Sequence, residues 1–317
     1  MMILSSDTHF STPSAATIGC FDGVHRGHQM LVQMMVCEAR QRGLKPIAVT
    51  FDRLPRQLFD SNFHPQVLST LDEKVTYLKE LGVEEVMVLP FTHQLAALSA
   101  EAFMREILRD QLSVELLVIG YDNRFGRDRS EGFDDYVRYG QRLGIDIVRG
   151  DVAMMDDQMA VSSTVIRQLL AEEGRVEAMP DVLTRRYTLS GHVVSGEHIG
   201  HELGFPTANL EPDSQEKLIP ASGAYAVWAI VDSRIANSSE QRMPAMMNIG
   251  TRPTFEGKQQ TLEVHILKDV GNLYGQEMMV EFVSRLRAEQ RFDTREALIA
   301  QLEHDKQTTE EILLNDK

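Results

Sequence analysis

Two hydrophobic periodicities divide the chain. Between Thr17 and about Gly174, short apolar runs alternate with stretches whose apolar residues return every three to four positions. Beyond Gly174 the alternation has period two. In the first part, residues 15–19, 45–51, 84–90, 115–120 and 145–152 read as strands, and 29–42, 70–81, 100–112 and 132–143 as helices. Leu31, Val32, Met35 and Val36 supply the buried stripe of the first helix. Strand and helix alternating in this way predict an α/β, Rossmann-like domain with a mainly parallel sheet covered on both faces. The segment 52–66, with Pro55 and Pro65 among mixed charges, is expected to be a mobile loop over the strand ends.

In the second part, runs at 187–194, 223–231, 243–249, 262–267 and 278–286 are broken by glycine-rich turns without long helices. That pattern predicts an antiparallel β-barrel or sandwich. A terminal helix over 294–314 closes it, with Ala297, Leu298, Leu302 and Ile312 on one side. The domains expected are 1–174 and 187–317, joined by a linker over 175–186 that contains Pro180.

Composition narrows the function classes. A chain of 317 residues, 43% apolar and with a formal charge of −15, suits two globular domains and argues against general nucleic-acid binding, which needs a basic surface. No run approaches ~18 apolar residues, so no membrane span is expected. Residues 1–14 show neither a basic flank nor an apolar core of the secretory kind, and a cytoplasmic location is expected. Two cysteines, Cys20 and Cys37, make no disulfide framework.

The densest chemistry lies between the first strand and the first helix, in Gly19-Cys20-Phe21-Asp22-Gly23-Val24-His25-Arg26-Gly27-His28. The carboxyl end of a strand in an open α/β sheet is where ligands bind. Glycines there let backbone approach a phosphate, and helix N-terminal amides offer it donors. His25 and His28, three apart, share a face of the first helical turn and can donate to a phosphate oxygen that gains charge as its bond breaks. A metal pair and a purely structural turn are the other readings of the same residues. The glycines do not make the dinucleotide fingerprint, and no glycine-lysine-serine or glycine-lysine-threonine run exists, so hydride transfer and P-loop chemistry lose ground.

The fourth strand ends in Gly120-Tyr121-Asp122-Asn123-Arg124-Phe125-Gly126-Arg127-Asp128-Arg129-Ser130. Its arginines read either as an anion clamp or as a solvated loop. Further on, Ser162-Ser163-Thr164-Val165-Ile166-Arg167 opens a short helix; the hydroxyls suit caps, whereas Arg167 in a first turn opposes the helix dipole unless an anion is near. In the second part, Gly191 and Gly196, then Gly204-Phe205-Pro206-Thr207-Ala208-Asn209, offer backbone for a phosphate and neutral oxygens suited to Mg²⁺. Glu263 alternates with Leu262 and Val264, which makes it either a solvated strand carboxylate or a base that takes a proton from a hydroxyl attacking ATP.

Taken in order, GCFDGVHRGH, GYDNRFGRDRS, SSTVIR, GFPTANL, NIGTRPTF and LEVHIL resemble the motifs of the bacterial bifunctional riboflavin kinase and FMN adenylyltransferase family, the FAD synthetases, over nearly the whole length. The resemblance implies an N-terminal domain that transfers AMP from ATP to FMN, giving FAD and pyrophosphate. It also implies a riboflavin kinase-like barrel that phosphorylates riboflavin, and Mg²⁺ in both reactions. By position, His25, His28 and Arg167, with Ser163 and Thr164, would hold the ATP phosphates. Gly19, Phe21, Asp22, Gly23, Asp122, Arg124 and Arg127 would line the nucleotide and flavin site of the first domain. Thr207 and Asn209 would hold Mg²⁺, Glu263 would be the kinase base, and Gly191, Gly196, Gly204, Asn248 and Arg287 would bind nucleotide or flavin.

The chain departs from the pattern at three places: Arg53-Leu54-Pro55 where proline-histidine-proline is usual, Asn123 where an aromatic is common, and His201 where an arginine is usual. Loss of one activity, or a binding protein without turnover, are the rival expectations. Oligomeric state is not legible.

Overall fold

The structure is a computed structural model describing residues 2–3, 9–121, 123–127, 129–150, 161–195, 204–231, 242–254 and 257–316. The chain forms two compact units, Met1–Ser163 and Thr164–Lys317. Asp122, Gly196 and His201 lie outside the described residues.

The first unit is a parallel sheet of β1 (Met2–Ile3), β2 (Ser14–Ile18), β3 (Lys45–Phe51), β4 (Glu85–Leu89), β5 (Val114–Ile119) and β6 (Asp146–Arg149). Its strand order is β1-β4-β3-β2-β5-β6. The chain winds outward from β2 to β3 and β4, then returns to β5 on the other side, so the order reverses between β2 and β5. A reversal of this kind opens a crevice at the carboxyl ends of the strands.

Alternate strand residues feed two cores. Ala15, Ala48, Val86 and Val118 pack under α1 (Arg26–Arg42) and α3 (Leu71–Glu80) through Val32, Met35, Val75 and Leu78. Ala16, Ile47, Met87 and Leu117 pack under the opposite layer through Phe103, Met104, Leu108 and Tyr136. That layer consists of α5 (Ala100–Phe103), continued by π-helical turns Met104–Gln111, and α6 (Phe133–Leu143). Ser99 caps the entry to α5, its Oγ accepting from the Ala102 amide at 3.2 Å. The segment expected to be a loop over 52–66 contains a short helix, α2 (Pro55–Phe59), and α4 (His93–Ala96) follows β4.

The second unit begins with most of α7 (Ser163–Gln168) and continues through π-helical turns Leu169–Glu173, a 3₁₀ turn Val176–Ala178 and α8 (Met179–Leu183). Residues expected to form a linker thus include Val176, Met179, Val182 and Leu183, all buried. Six strands follow: β7 (Thr188–Val194), β8 (Ala208–Pro212), β9 (Gly223–Val231), β10 (Arg242–Thr254), β11 (Gly257–Ile266) and β12 (Glu277–Ala288). They close into an antiparallel barrel in the order β10-β11-β8-β7-β12-β9. Closure removes the edges that an open sheet would have to protect. The terminal helix α9 (Arg295–Leu314) starts at Thr294, whose Oγ1 accepts from the Ala297 amide at 3.1 Å, and packs on β9, β10 and β12.

Candidate active sites

The Gly19–His28 turn leaves β2 at the crevice and is held by a buried carboxylate. Asp22 is 5% exposed, and its Oδ1 accepts from the amides of Leu68 and Ser69 at 2.8 and 3.2 Å. Gly23 donates its amide to Ser69 Oγ at 2.9 Å, and Ser163 Oγ donates to the Asp22 carbonyl at 2.9 Å. Asp22 therefore shapes the turn, since this carboxylate oxygen is committed to main-chain amides. The backbone is tight: Phe21 and Val24 sit at φ 48° and 39°, and Gly23 at 80°. Such left-handed geometry in non-glycine residues costs roughly 1–3 kcal/mol each and persists where the surroundings enforce it. Phe21 is buried, and a Cβ on Gly19 would stand 3.2 Å from its ring.

His25 and His28 emerge from this turn with stacked rings, centroids 3.7 Å apart and planes at 21°, and Phe21 meets His28 edge-on at 5.2 Å. His28 Nδ1 is buried with no hydrogen-bond partner among the described residues. Burial holds the His28 imidazole well below its ordinary pKa, with His25 and Lys74 adding to the effect. The pair is thus kept from carrying two positive charges, which at this distance would repel. No group of three His, Cys, Asp or Glu suited to a metal is present among the described residues, so the metal reading of the two histidines gains nothing.

Lys74 is a residue the sequence reading missed. It occupies the apolar stripe Leu71, Lys74, Val75, Leu78 of α3, and a lysine in such a stripe is the signal that could have found it. Its ammonium donates to the carbonyls of Cys20 and Phe51 at 3.1 and 3.2 Å, in the turn after β2 and at the end of β3.

The loop after β5 is tied to the same place by Asn123, whose Nδ2 donates to the Ile18 carbonyl at 2.6 Å. The departure from an aromatic therefore gives a main-chain anchor. Gly126, at φ 97°, passes so close to the Ala100 amide that a Cβ would stand 2.7 Å from it. Arg124 and Arg127 are both exposed. Thr164 and Arg167 fall in the second unit, so the first-unit site consists of the Gly19–His28 turn, Ser163, Lys74 and the loop after β5.

In the barrel, strand register brings together residues far apart in sequence. Asn209 pairs with Glu263, Glu263 with Asn248, Asn248 with Ala224, and Ala224 with Arg287. Because side chains alternate across a strand, directly opposed residues share a face. The row runs across β8, β11, β10, β9 and β12, and four of its five members were predicted site residues. A cavity of about 330 Å³ is lined by Thr207, Asn248, Glu263 and Arg287 with Leu298 and Leu302 of α9. Glu263 is half-buried in its wall.

A second cavity of about 640 Å³ is lined by Gly204, Thr207, Lys268, Asn272 and Tyr274. Thr207 and His265 line both cavities. His265, also missed, lies two positions from Glu263; its Nδ1 bonds to the Pro206 carbonyl at 2.7 Å, and burial lowers its pKa. Gly204 sits at φ 84° with open space where a Cβ would be.

Two predicted residues also carry structural contacts. Gly191 is buried inside β7, where a Cβ would stand 2.2 Å from the Glu211 carbonyl, so close strand approach calls for a glycine here. Arg287 lines the smaller cavity, yet its guanidinium is spent on Asp305 of α9, with Nε at 3.2 and 2.9 Å from the carboxylate oxygens and Nη2 at 2.8 Å.

Comparison with known proteins agrees with this two-part layout. The family described as FAD synthetase matches residues 7–165, and that described as riboflavin kinase matches residues 183–313. A bifunctional riboflavin kinase/FMN adenylyltransferase of Escherichia coli strain K12 is 37% identical over 295 residues, covering 93% of this chain and 91% of its own length. The protein of that description from Listeria monocytogenes is 34% identical over 310 residues, covering 96% and 94%. A solved structure described as a macrolide-efflux protein from Streptococcus pneumoniae superposes with a TM-score of 0.88 at 28% identity, over 98% of both chains. Among the described residues no helix is long and apolar enough to cross a membrane. The two family matches define a nucleotide-dependent transferase with two activities. The chain belongs to the bifunctional riboflavin kinase/FMN adenylyltransferase family.

Proposed function

We infer that this chain makes FAD from riboflavin in two steps at two sites, in the cytoplasm. The reading is carried by the occurrence, in one polypeptide, of a histidine-bearing crevice on a parallel sheet and a carboxylate-bearing pair of cavities on a closed barrel. In the barrel, the larger cavity takes ATP and the smaller takes riboflavin. The ribityl hydroxyl attacks the γ-phosphorus, Glu263 accepts its proton, and ADP leaves. Transfer from one cavity to the other accounts for Thr207 and His265 lining both.

In the first unit, a phosphate oxygen of FMN attacks the α-phosphorus of ATP, and pyrophosphate leaves. Negative charge grows on the leaving phosphate, and His25 and His28 are the donors that meet it. The Ser163 hydroxyl completes the anion site in this reading. Thr207 and Asn209 offer hard neutral oxygens beside Glu263, a donor set that fits Mg²⁺ already bound to phosphates. Mg²⁺ bound there would neutralise phosphate charge.

The test is turnover. Riboflavin, ATP and Mg²⁺ are incubated with the protein, and FMN and FAD are separated by chromatography. Both products are expected, with FMN appearing first and chelation of the metal stopping both. FMN alone, or neither product with the flavins merely bound, would replace this reading by a one-activity enzyme or a binding protein.

A further inference from the structure

A buried lysine with a proton to spare stands beneath the histidine pair. Lys74 is 9% exposed, and two of its three ammonium protons go to the Cys20 and Phe51 carbonyls, at 3.1 and 3.2 Å. The third has no acceptor among the described residues. Packing alone does not call for a charge here: Val75 and Leu78, its neighbours on the stripe, fill the same layer with hydrocarbon. Taking an ammonium out of water is expensive unless its field is used. The Cys20 carbonyl lies in the turn that leaves β2 at the crevice and the Phe51 carbonyl at the end of the neighbouring β3, and the Cys20 carbonyl also accepts from Thr50 Oγ1 at 3.3 Å. We propose that Lys74 is a positioning residue for adenylyl transfer, its ammonium locking the turn after β2 to the end of β3 so that the His25–His28 pair is seated against the phosphates of the nucleotide.

The inference rests on the reading of that pair as the phosphate donors. It adds an ammonium from α3, whose pKa burial lowers while Cys20, Asp22 and Asp52 oppose the fall, and neither histidine supplies that charge while neutral. The charged and titratable groups around it come from each neighbouring element. Cys20 and Asp22 in the turn and Asp52 after β3 face Lys74, and His25, just before α1, faces His28 on α1. Lys74 also opposes protonation of His28, and its loss is expected to let His28 take a proton at higher pH.

Lys74→Gln keeps an N–H for a carbonyl and removes the charge; Lys74→Arg keeps the charge. Expected for Lys74→Gln is at least a tenfold fall in FAD formation, with riboflavin phosphorylation within twofold of the unaltered protein. The His28 ring should titrate at higher pH by NMR of histidine-labelled protein, and Lys74→Arg should restore most of the rate and the titration midpoint. FAD formation within twofold in Lys74→Gln would overturn the proposal. So would an equal fall in both variants with the His28 titration unmoved, which is the mark of a structural role alone.

A second measurement needs no variant. In the unaltered protein labelled with ¹³C-lysine, pyrophosphate should shift both the Lys74 Cε signal and the His28 ring signals. A shift at His28 with none at Lys74 would overturn the proposal while leaving the phosphate reading of the histidines intact. No shift at either would remove that reading and the proposal with it.

Discussion

At His28, the burial seen in the structure and the donor role proposed for the ring fall on the same side chain. Removing one preorganised donor to a leaving phosphate costs about 2.7–4 kcal/mol of barrier, or roughly a hundredfold to a thousandfold in rate. His28→Ala is therefore expected to lower FAD formation by that factor and to leave FMN formation alone, as read by the two-product assay. Glu263→Gln should do the reverse, lowering FMN formation about a hundredfold or more, because the proposed general base is lost. The depressed pKa also fixes a sign for stability. Unfolded, His28 takes up a proton as pH falls through 6.5, while in the folded chain it does not. The unfolded state then binds more protons, and stability is lost below that pH and complete above it. Thermal melts at a series of pH values should show the loss in the unaltered protein and a shallower slope in His28→Asn; equal slopes would count against a buried neutral ring. The histidines were readable from spacing, but their support was not. Lys74 resembles any surface lysine until its place in the Leu71–Leu78 stripe is noticed, and the amides that Asp22 accepts from belong to Leu68 and Ser69, far from it in sequence.

Elements were legible where one period persisted. β3 and β9 fall at the predicted bounds, and the helices ending at Arg42 and Leu143 end as expected because a glycine follows each in the left-handed conformation. Elements were lost where period failed. β8 carries Asn209 and Glu211 among its five residues and ends on Pro212, so no alternation announces it, and α2 hides behind Pro55. The row Asn209, Glu263, Asn248 could not be read either, because register between distant strands leaves no trace in local spacing. The attachment of α9 is the element-scale feature most open to test. Arg287 and Asp305 are 14% and 4% exposed, and Gln301 adds a bond to the same carboxylate at 2.8 Å. Deleting one member of such a pair strands the other, at a cost of about 3–5 kcal/mol. Asp305→Ala is expected to destabilise the second unit by that amount in denaturant unfolding. It should also raise the KM for riboflavin, since α9 contributes Leu298 and Leu302 to the cavity. A variant of unaltered stability would mean that the helix is held by its apolar face alone.

At the scale of the whole molecule, the two centres are built on scaffolds that share neither topology nor chemistry, and they are linked by the intermediate FMN. A parallel sheet with a strand-order reversal supplies one, and a barrel whose register aligns polar residues in a row supplies the other. Each centre should then survive damage to its counterpart. A His28→Ala chain retains the barrel site and converts riboflavin to FMN; a Glu263→Gln chain retains the crevice and converts FMN to FAD. Neither alone should carry riboflavin to FAD at an appreciable rate, whereas the two mixed should do so after a lag in which FMN builds up in solution. The lag should shorten as the His28→Ala chain is raised and vanish when FMN is supplied. A mixture that makes FMN but no FAD, while the Glu263→Gln chain still adenylylates added FMN, would show that FMN made at one site is held from the other in solution. A Glu263→Gln chain that cannot use added FMN would instead mean that the barrel carboxylate serves both reactions, and the assignment of one chemistry to each unit would have to be withdrawn.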